Sequence, residues 1–296
     1  MGTIDVSVII VNYNTDKELD DCIVSIHKYT SGVNYEIIVI DNDSKPEIKK
    51  RIKAKNYEAK IIYNPNNVGF GRANNIGTEI ARGKYIFFLN SDTVLLNNAI
   101  KIFYDRMELE SPSVACLGTY LKNKNYEVIH SYGKFPTISN SLYLFIIYPI
   151  LRKFGFKYSI MDYKLPQKES IVEYITGADI FMRKNVGDQL GYFDPRYFLY
   201  YEETDMQKKY SVNGYVCKII EGPEILHLCG ASGSKVQYKK MKFPLQSHFI
   251  YLKKWNPYFL YLIYKFSYIM GRFLFLIFLP HKWKENVLYL KSAFIR

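Results

Sequence analysis

Four continuous apolar runs open the chain: Val6–Val11 (VSVIIV), Glu36–Ile40 (EIIVI), Lys60–Tyr63 and Tyr85–Leu89. They do not alternate with polar positions, which predicts strands buried on both faces of a sheet. Between the first two, Leu19, Cys22, Ile23 and Ile26 recur at helical spacing on one inner face, with Thr15 or Asp16 placed to cap the helix. Behind the third run, the stretch Val68-Gly69-Phe70-Gly71-Arg72-Ala73-Asn74-Asn75 leads into a second helix ending near Ala81. Strands alternating with helices predict parallel pairing through right-handed crossovers. Each strand runs into a loop rich in Asn, Asp and Ser, so one edge of the sheet gathers the groups that meet a ligand.

The second half predicts a helix near Asn97–Glu110 and strands at Val114–Gly118 and Val172–Ile175, around a polar, turn-rich stretch at 123–140. Leu142–Phe156 is apolar with Pro149 inside it and Arg152, Lys153 and Lys157 beside it. It is too short to cross a bilayer, and reads as a core helix or as a segment dipping into an interface. At the far end, Tyr258–Pro280 is 23 residues long and carries Lys265 and Arg272. Tyr261, Lys265, Tyr268 and Arg272 share one helical face, opposite Leu262, Ile263, Phe266, Ile269, Met270, Phe273 and Leu274. That pattern predicts a helix lying in the plane of an anionic membrane surface rather than crossing it. A dimerisation helix is the alternative. Pro280 ends the segment, and Trp283–Phe294 is a second amphipathic piece. The expected division is a body over 1–240, in halves 1–96 and 97–240, followed by a basic helical segment over 241–296.

Charge supports that division. The net charge is +12 over 296 residues. From Lys235 onward there are twelve Lys or Arg and one acid, Glu285, so the rest of the chain is close to neutral. The basic groups alternate with long apolar runs and no binding motif accompanies them, which argues against nucleic acid. The four cysteines, Cys22, Cys116, Cys217 and Cys229, have neither C-x-x-C nor metal spacing. They read as reduced, mostly buried thiols of a cytosolic protein. The first residues enter a strand without a signal-peptide pattern.

The chemistry concentrates at strand ends. Asp92, in Asn90-Ser91-Asp92, stands where a carboxylate could hold Mg²⁺ or Mn²⁺ against a nucleotide diphosphate; capping of the following segment is the plain structural alternative. Asp41 could accept from a base or a ribose, or with Ser44 could shape a turn. Gly69-x-Gly71 resembles the start of a dinucleotide fingerprint, but Asn74 stands at the third glycine position and Asn12-Tyr13-Asn14-Thr15 has no glycine, so a dehydrogenase is rejected. Gly177-Ala178 allows a sugar ring close to the backbone, or serves tight packing. In Tyr201-Glu202-Glu203-Thr204-Asp205, three carboxylates within four residues crowd one another, which raises a carboxyl toward the range of a general base. Capping of the helix that follows is the alternative. His227, behind an apolar segment, reads alone as a packed core histidine.

Taken in order, VSVIIVNYNT, EIIVIDNDS, NVGFGRANNIG, YIFFLNSDTV, TGADIFMRK and FDPRYFLYYEETDM resemble the family 2 inverting glycosyltransferases of the GT-A fold. The similarity covers roughly residues 5–230 and is nearest to the bacterial rhamnosyltransferase-like branch. The resemblance implies an α/β, mostly parallel nucleotide-diphospho-sugar transferase sheet flanked by helices. It places Asn12, Tyr13, Asp41, Asn42, Arg72, Asn74, Asn75, Asn90 and Ser91 around the donor. Gly177, Ala178 and Asp179 fall to the acceptor side. Asp92 becomes the metal ligand for Mg²⁺ or Mn²⁺, assisted by His227, and Asn90 replaces the first Asp of the D-x-D pair. Glu203 falls on the base position, with Glu202 and Asp205 as rivals. The activity implied is inverting transfer, of rhamnose from dTDP-rhamnose by branch, to a lipid-linked saccharide of a bacterial surface polysaccharide. The enzyme would be peripheral on the cytoplasmic face of the inner membrane. A UDP-hexose or UDP-galactofuranose transferase, and an inactive membrane-bound assembly factor, are the alternatives.

Overall fold

The computed structural model describes residues 2–55, 57–151, 155, 169–228, 237–278 and 283–294. Cys229, Arg152, Lys153, Lys157 and Pro280 lie outside them. By contacts the chain divides into two units. Unit 1 is Met1–Lys134, Pro166–Phe198 and Glu202–Ser234; unit 2 is Phe135–Leu165, Leu199–Tyr201 and Lys235–Arg296. The helical segment expected over 241–296 therefore also gathers the apolar stretch near Leu142–Phe156 and three residues beside the acidic cluster.

Unit 1 begins β1 (Val6–Asn12), α1 (Asp16–Tyr29), β2 (Tyr35–Asp41), α2 (Pro46–Ala54), β3 (Lys60–Tyr63), α3 (Phe70–Ile80), β4 (Tyr85–Asn90) and β5 (Thr93–Leu95). It continues with α4 (Ala99–Leu109), β6 (Val114–Thr119) and β7 (Tyr132–Gly133). After the first piece of unit 2, α5 (Ile138–Leu142), a π-helical turn at Tyr143–Ile147 and α6 (Tyr148–Leu151), come β8 (Ser170–Val172), β9 (Tyr174–Ile175) and β10 (Asp179–Arg183). Next are α7 (Lys184–Leu190), α8 (Glu202–Val212), β11 (Val216–Ile220) and β12 (Ile225–His227). The tail is α9 (Gln237–Trp255), α10 (Tyr258–Phe278) and α11 (Trp283–Ala293). Helix α2, with Pro46 preset for its first turn, carries no long apolar run and escapes the pattern reading.

One sheet of eight strands runs β3-β2-β1-β4-β10-β6-β11-β8. The four opening strands pair in parallel, as the alternation requires. β10 runs antiparallel between β4 and β6, so the sheet is mixed beyond its first half. Cores lie on both faces: Leu19, Cys22, Ile23 and Ile26 of α1 with Val8 and Ile10 on one, Ala73 of α3 with Ile9 and Ile38 on the other. Both-face burial explains the unbroken apolar runs. Parallel register puts Asn12 beside Asp41 and Val11 beside Asn90, aligning the polar loops at one edge. Cys22, Cys116 and Cys217 are free and buried.

In unit 2, α10 packs by one of the two faces seen in its sequence. Tyr261, Tyr268 and Arg272, which with Lys265 form the face opposite the apolar stripe, are buried at 6%, 0% and 6% exposure. The Arg272 guanidinium lies 4.0 Å from the Tyr289 ring centroid and 5.2 Å from that of Tyr268, and it donates to Phe145 O at 3.0 Å. Aromatic faces and a carbonyl hold the cation inside the bundle, although its Nε is buried without a hydrogen-bond partner among the described residues. The outward face is the apolar one: Phe259, Leu262, Ile263, Phe266, Met270, Phe273, Leu274 and Ile277 are all exposed.

Candidate active site

The aligned strand ends of unit 1 interlock. Asn12 donates Nδ2 to Asp41 Oδ2 at 2.8 Å, and Asp41 Oδ1 accepts the Ser44 N–H at 3.1 Å. Thr15 holds the N-cap position of α1 as expected, but its side chain makes no cap hydrogen bond: it donates Oγ1 to Asn12 Oδ1 at 2.8 Å and lies 2.9 Å from Ser91 Oγ. Asn42 ties the third loop, donating to Asn67 Oδ1 at 2.9 Å and accepting from Asn64 Nδ2 at 3.1 Å. Asn12, Asp41, Asn42 and Ser91 are thus a buried floor. Asp41 has no exposed surface and its two oxygens are engaged by Asn12 and the Ser44 N–H, so here it shapes the floor and does not present itself to a base as expected. Tyr13 stands on this floor 39% exposed.

Beyond Ser91 the chain turns into β5, which pairs antiparallel with β12 and sets His227 opposite Thr93. Leu228 N donates to Asp92 O at 2.9 Å, closing the ladder. Consequently His227 Nε2 lies 3.3 Å from Asp92 Oδ1 and 3.4 Å from Asn90 Nδ2. His227 is a neighbour of Asp92 rather than an isolated core residue. No group of three or more His, Cys, Asp or Glu placed to hold a metal ion occurs among the described residues. One carboxylate and one imidazole nitrogen converging on a point nonetheless suit a divalent cation whose remaining ligands are diphosphate oxygens and water. The donor set fits, with Mn²⁺ better matched than Mg²⁺ to the imidazole.

From Asn90 the site crosses to β10 through Asn90 N, which donates to Ala178 O at 3.1 Å. Gly177 comes next. A Cβ built there would lie 3.7 Å from Glu203 Cγ and 3.6 Å from the Phe70 ring, so the missing side chain leaves ordinary contact distance beside Glu203. Asp179 is a correction: with no exposed surface, its Oδ2 accepts the Thr119 N–H at 2.7 Å and burial pushes its carboxyl well up. Buried and engaged in this way, it does not reach an acceptor.

The three acids separate by burial. Glu202 is 2% exposed and packs against Gly71. Asp205 is 1% exposed and accepts from the Tyr197 hydroxyl at 3.1 Å. Neither is presented to a substrate. Glu203 alone keeps partial exposure, with Oε1 accepting from Thr204 Oγ1 at 3.1 Å. Desolvation raises its carboxyl above the usual range. Gln207, one turn on, brackets the Ile175 backbone with Nε2 to O and Oε1 to N, both at 2.8 Å, and its Nε2 also meets Glu203 O at 3.1 Å. Its spacing of four from Glu203 was a signal the sequence reading left unused.

Helix α3 contributes less to a donor than expected. Asn75 places both ends of its amide on Phe193, donating to its O at 2.8 Å and accepting its N–H at 3.1 Å. Asn74 is buried and donates to Phe70 O at 3.2 Å. Arg72 is exposed and donates to Pro195 O at 2.7 Å. The two asparagines are structural ties, because their amides are already engaged by backbone. Ahead of them Gly69 sits at φ +91°, and a Cβ there would stand 2.3 Å from Phe198 O. Phe70 N donates to that same oxygen at 2.9 Å. Gly69→Ala is expected to cost more than ~2 kcal/mol, read as a lowered urea midpoint at unchanged slope. A recess of about 370 Å³ lined by Gly2, Thr3, Ile4, Val33, Asn34 and Tyr35 lies at the amino-terminal edge of the strands and has none of these groups.

A likeness over 86% of the chain, with TM-score 0.63 at 17% identity, relates it to 48% of a GalNAc-T7 structure crystallised with UDP, GalNAc and Mn²⁺, which shows a shared GT-A fold. The rhamnosyltransferase WbbL of Escherichia coli is 22% identical, over 75% of this chain and 83% of that one. The hexosyltransferase Agl10 of Haloferax volcanii is 24% identical over 73% and 66%. The glycosyltransferase GlyG of Streptococcus pneumoniae is 30% identical over 39% and 38%. The chain thus spans well under half of GlyG and just under two thirds of Agl10. The model of glycosyl transferase family 2 matches residues 7–170, more than half of the sequence and all four opening strands with their loops. The chain belongs to glycosyl transferase family 2.

Proposed function

We propose that this transferase moves a sugar, with inversion, from a nucleoside diphosphate donor to a hydroxyl of a lipid-linked saccharide. The observation that supports it most is the continuous path from the Asp92–His227 pair through Asn90 and the Asn90–Ala178 hydrogen bond to Gly177 and Glu203. Glu203 takes the proton of the acceptor hydroxyl as that oxygen attacks the anomeric carbon. The bond from that carbon to the diphosphate breaks on the opposite face, so one displacement inverts the centre. Asp92 and His227, beside Asn90, would hold a divalent cation, which when bound neutralises charge on the departing diphosphate. Gly177 keeps the path open between donor and base.

The donor proposed is dTDP-rhamnose, in line with the rhamnosyltransferase name of the Escherichia coli relative; a UDP-hexose or UDP-galactofuranose is the second choice, in line with the hexosyltransferase name of Agl10. Nucleotide release from each of these sugars decides between them. No turnover of any, with and without Mn²⁺, would favour an inactive assembly factor instead.

The tail supports a peripheral site on the cytoplasmic face of a bacterial inner membrane. Tyr258–Ile277 is long and apolar enough to cross a membrane by length and composition, and only 33% of it is buried. Its outward stripe includes Phe266 at 67% and Phe273 at 51% exposure, within a segment carrying twelve Lys or Arg against one acid. An apolar face in a basic setting suits partial insertion into an anionic bilayer. Burying one Phe contributes about 1.5–3 kcal/mol when complete. Scaled by exposure, Phe266→Ser with Phe273→Ser should lower partitioning onto phosphatidylglycerol vesicles by roughly tenfold or more. Retained binding, or vesicle-independent dimers by sedimentation, would point to a homodimer.

A further inference from the structure

Strand β9 is two residues long and pairs with β7. Toward α8 the backbone of Ile175 meets a side chain rather than another strand. Gln207 Nε2 donates to Ile175 O and Gln207 Oε1 accepts the Ile175 N–H, both at 2.8 Å. A carboxamide carries a donor and an acceptor at the spacing of a peptide group, so it continues the ladder where the strand has ended. Ile175 and Gln207 have no exposed surface. Without the amide, the Ile175 N–H and C=O lose their partner in the interior, where an unmade hydrogen bond is costly. The same Nε2 also reaches back to Glu203 O at 3.1 Å. One side chain thus bonds the strand that leads into Gly177 and the backbone of the acid that faces it.

The turn beyond Ile175 is fixed from other elements. Thr176 donates its N–H and its Oγ1 to Ser131 O at 2.9 and 3.2 Å. Ala178 O accepts the Asn90 N–H at 3.1 Å, and Asp179 Oδ2 accepts the Thr119 N–H at 2.7 Å. Ile175 is also held by shape, since a Cβ on Gly118 of β6 would stand 2.5 Å from Ile175 Cγ2. Gly177 lies between these anchors with Glu203 against it. All of these groups belong to unit 1.

We propose that the Gln207 amide, by bonding Ile175 and Glu203 together, holds α8 at the distance from the Gly177 turn at which the Glu203 carboxyl meets the acceptor, which makes Gln207 a positioning residue for transfer. Glu203 and Gln207 are successive turns of α8, so the clamp sits directly behind the base. The turn is tied to β4, β6 and Ser131 and does not follow the helix. Loosening the clamp therefore changes the separation between turn and base. A base displaced by about 1 Å loses on the order of a hundredfold in rate. The floor formed by Asn12, Asp41 and Asn42 shares no residue with the clamp, so the effect falls on turnover rather than on donor binding. The inference rests on Glu203 as the base.

The test compares full-length wild type with Gln207→Met, Gln207→Asn, Glu203→Gln and the double variant Gln207→Met with Glu203→Gln. Methionine keeps the length of the side chain and removes both ends of the amide. Asparagine keeps the amide but ends one methylene short, and it carries the test if Gln207→Met does not fold. UDP affinity with Mn²⁺ and exchange of the Ile175 amide are measured first, then kcat and donor KM for nucleotide release from dTDP-rhamnose and UDP-glucose. Both Gln207 variants should speed exchange at Ile175 and lower kcat, each at least about tenfold, with UDP affinity and donor KM within about twofold. In the Glu203→Gln background, where no base remains to be placed, Gln207→Met should change the residual turnover by less than about threefold. The proposal is overturned if the Gln207 variants keep kcat within about twofold of wild type, or if UDP affinity falls in step with kcat. It is equally overturned if Gln207→Met costs the same factor in both backgrounds, since the amide then acts apart from the base. Wild-type turnover by Glu203→Gln would remove the base assignment and this inference with it. Normal kcat in the Gln207 variants beside a crippled Glu203→Gln overturns the clamp alone.

Discussion

Glu203→Gln should reduce transfer by about a hundred- to ten-thousandfold while donor affinity stays within about twofold, the range expected when a positioned general base is removed. The amide matches the carboxylate in shape and keeps an oxygen for the Thr204 hydroxyl, which now donates to Glu203 Oε1 at 3.1 Å. Its glutamine cannot accept a proton. The pH dependence carries an independent signature. Burial raises the Glu203 carboxyl above the usual glutamate range, and catalysis needs the ionised form. Activity should therefore fall with decreasing pH through that raised value, placing the acid limb above the ordinary value of about 4.3. For stability the sign is opposite. A carboxyl with a raised folded pKa favours the fold while protonated, below its unfolded pKa. That contribution is lost as pH rises to the folded pKa. At neutral pH Glu203→Gln removes a partly desolvated charge, so the variant should melt at or above the wild-type temperature while inactive. A variant that is inactive because it unfolds would contradict this account of Glu203.

Asp92→Ala should have the second largest effect. Asn90 stands in place of a second acid, and Asp92 is the carboxylate that the described residues bring to the His227 imidazole, whose Nε2 lies 3.3 Å from Asp92 Oδ1. Removing it should abolish Mn²⁺-dependent turnover, about a thousandfold or more, by analogy with the loss of one preorganised charge-stabilising group. His227→Ala should weaken Mn²⁺ affinity with a smaller loss at saturating metal, since diphosphate and water can fill a vacated position. Titrating Mn²⁺ against UDP binding by calorimetry separates the two: the metal should enhance UDP binding in wild type and not in Asp92→Ala. Full activity of Asp92→Ala in excess chelator would show that the reaction runs without this site.

The division between what the sequence discloses and what it hides follows from distance along the chain. The runs at Val6–Val11 and Tyr85–Leu89 announce buried strands because both faces of the sheet are covered. The helical spacing of Leu19, Cys22, Ile23 and Ile26 likewise marks the inner face of α1. The Asp92–His227 contact is different, because two three-residue strands, β5 and β12, bring together residues far apart in sequence. Strands that short leave no period to read, and only the family resemblance hinted at the pairing. Asn75 shows another limit. Its amide serves a nucleotide or a neighbouring backbone equally well, and only the fold shows both ends committed to Phe193. The sequence of α10 shows its two faces but not which of them packs: stacked aromatic rings and the Phe145 carbonyl accommodate Arg272 inside, and the apolar stripe is left outward. Among Glu202, Glu203 and Asp205, burial decides, and burial is a property of the packed protein.

The measurement that bears most directly on this account is anomalous diffraction from crystals of the full-length protein grown with UDP and Mn²⁺. The account predicts a manganese peak bonded to Asp92 and His227 at about 2.0–2.2 Å, with diphosphate oxygens completing its shell. The Glu203 carboxyl should face the open end of the diphosphate across Gly177. Manganese bound elsewhere, or a diphosphate whose open end points away from Glu203, would contradict it.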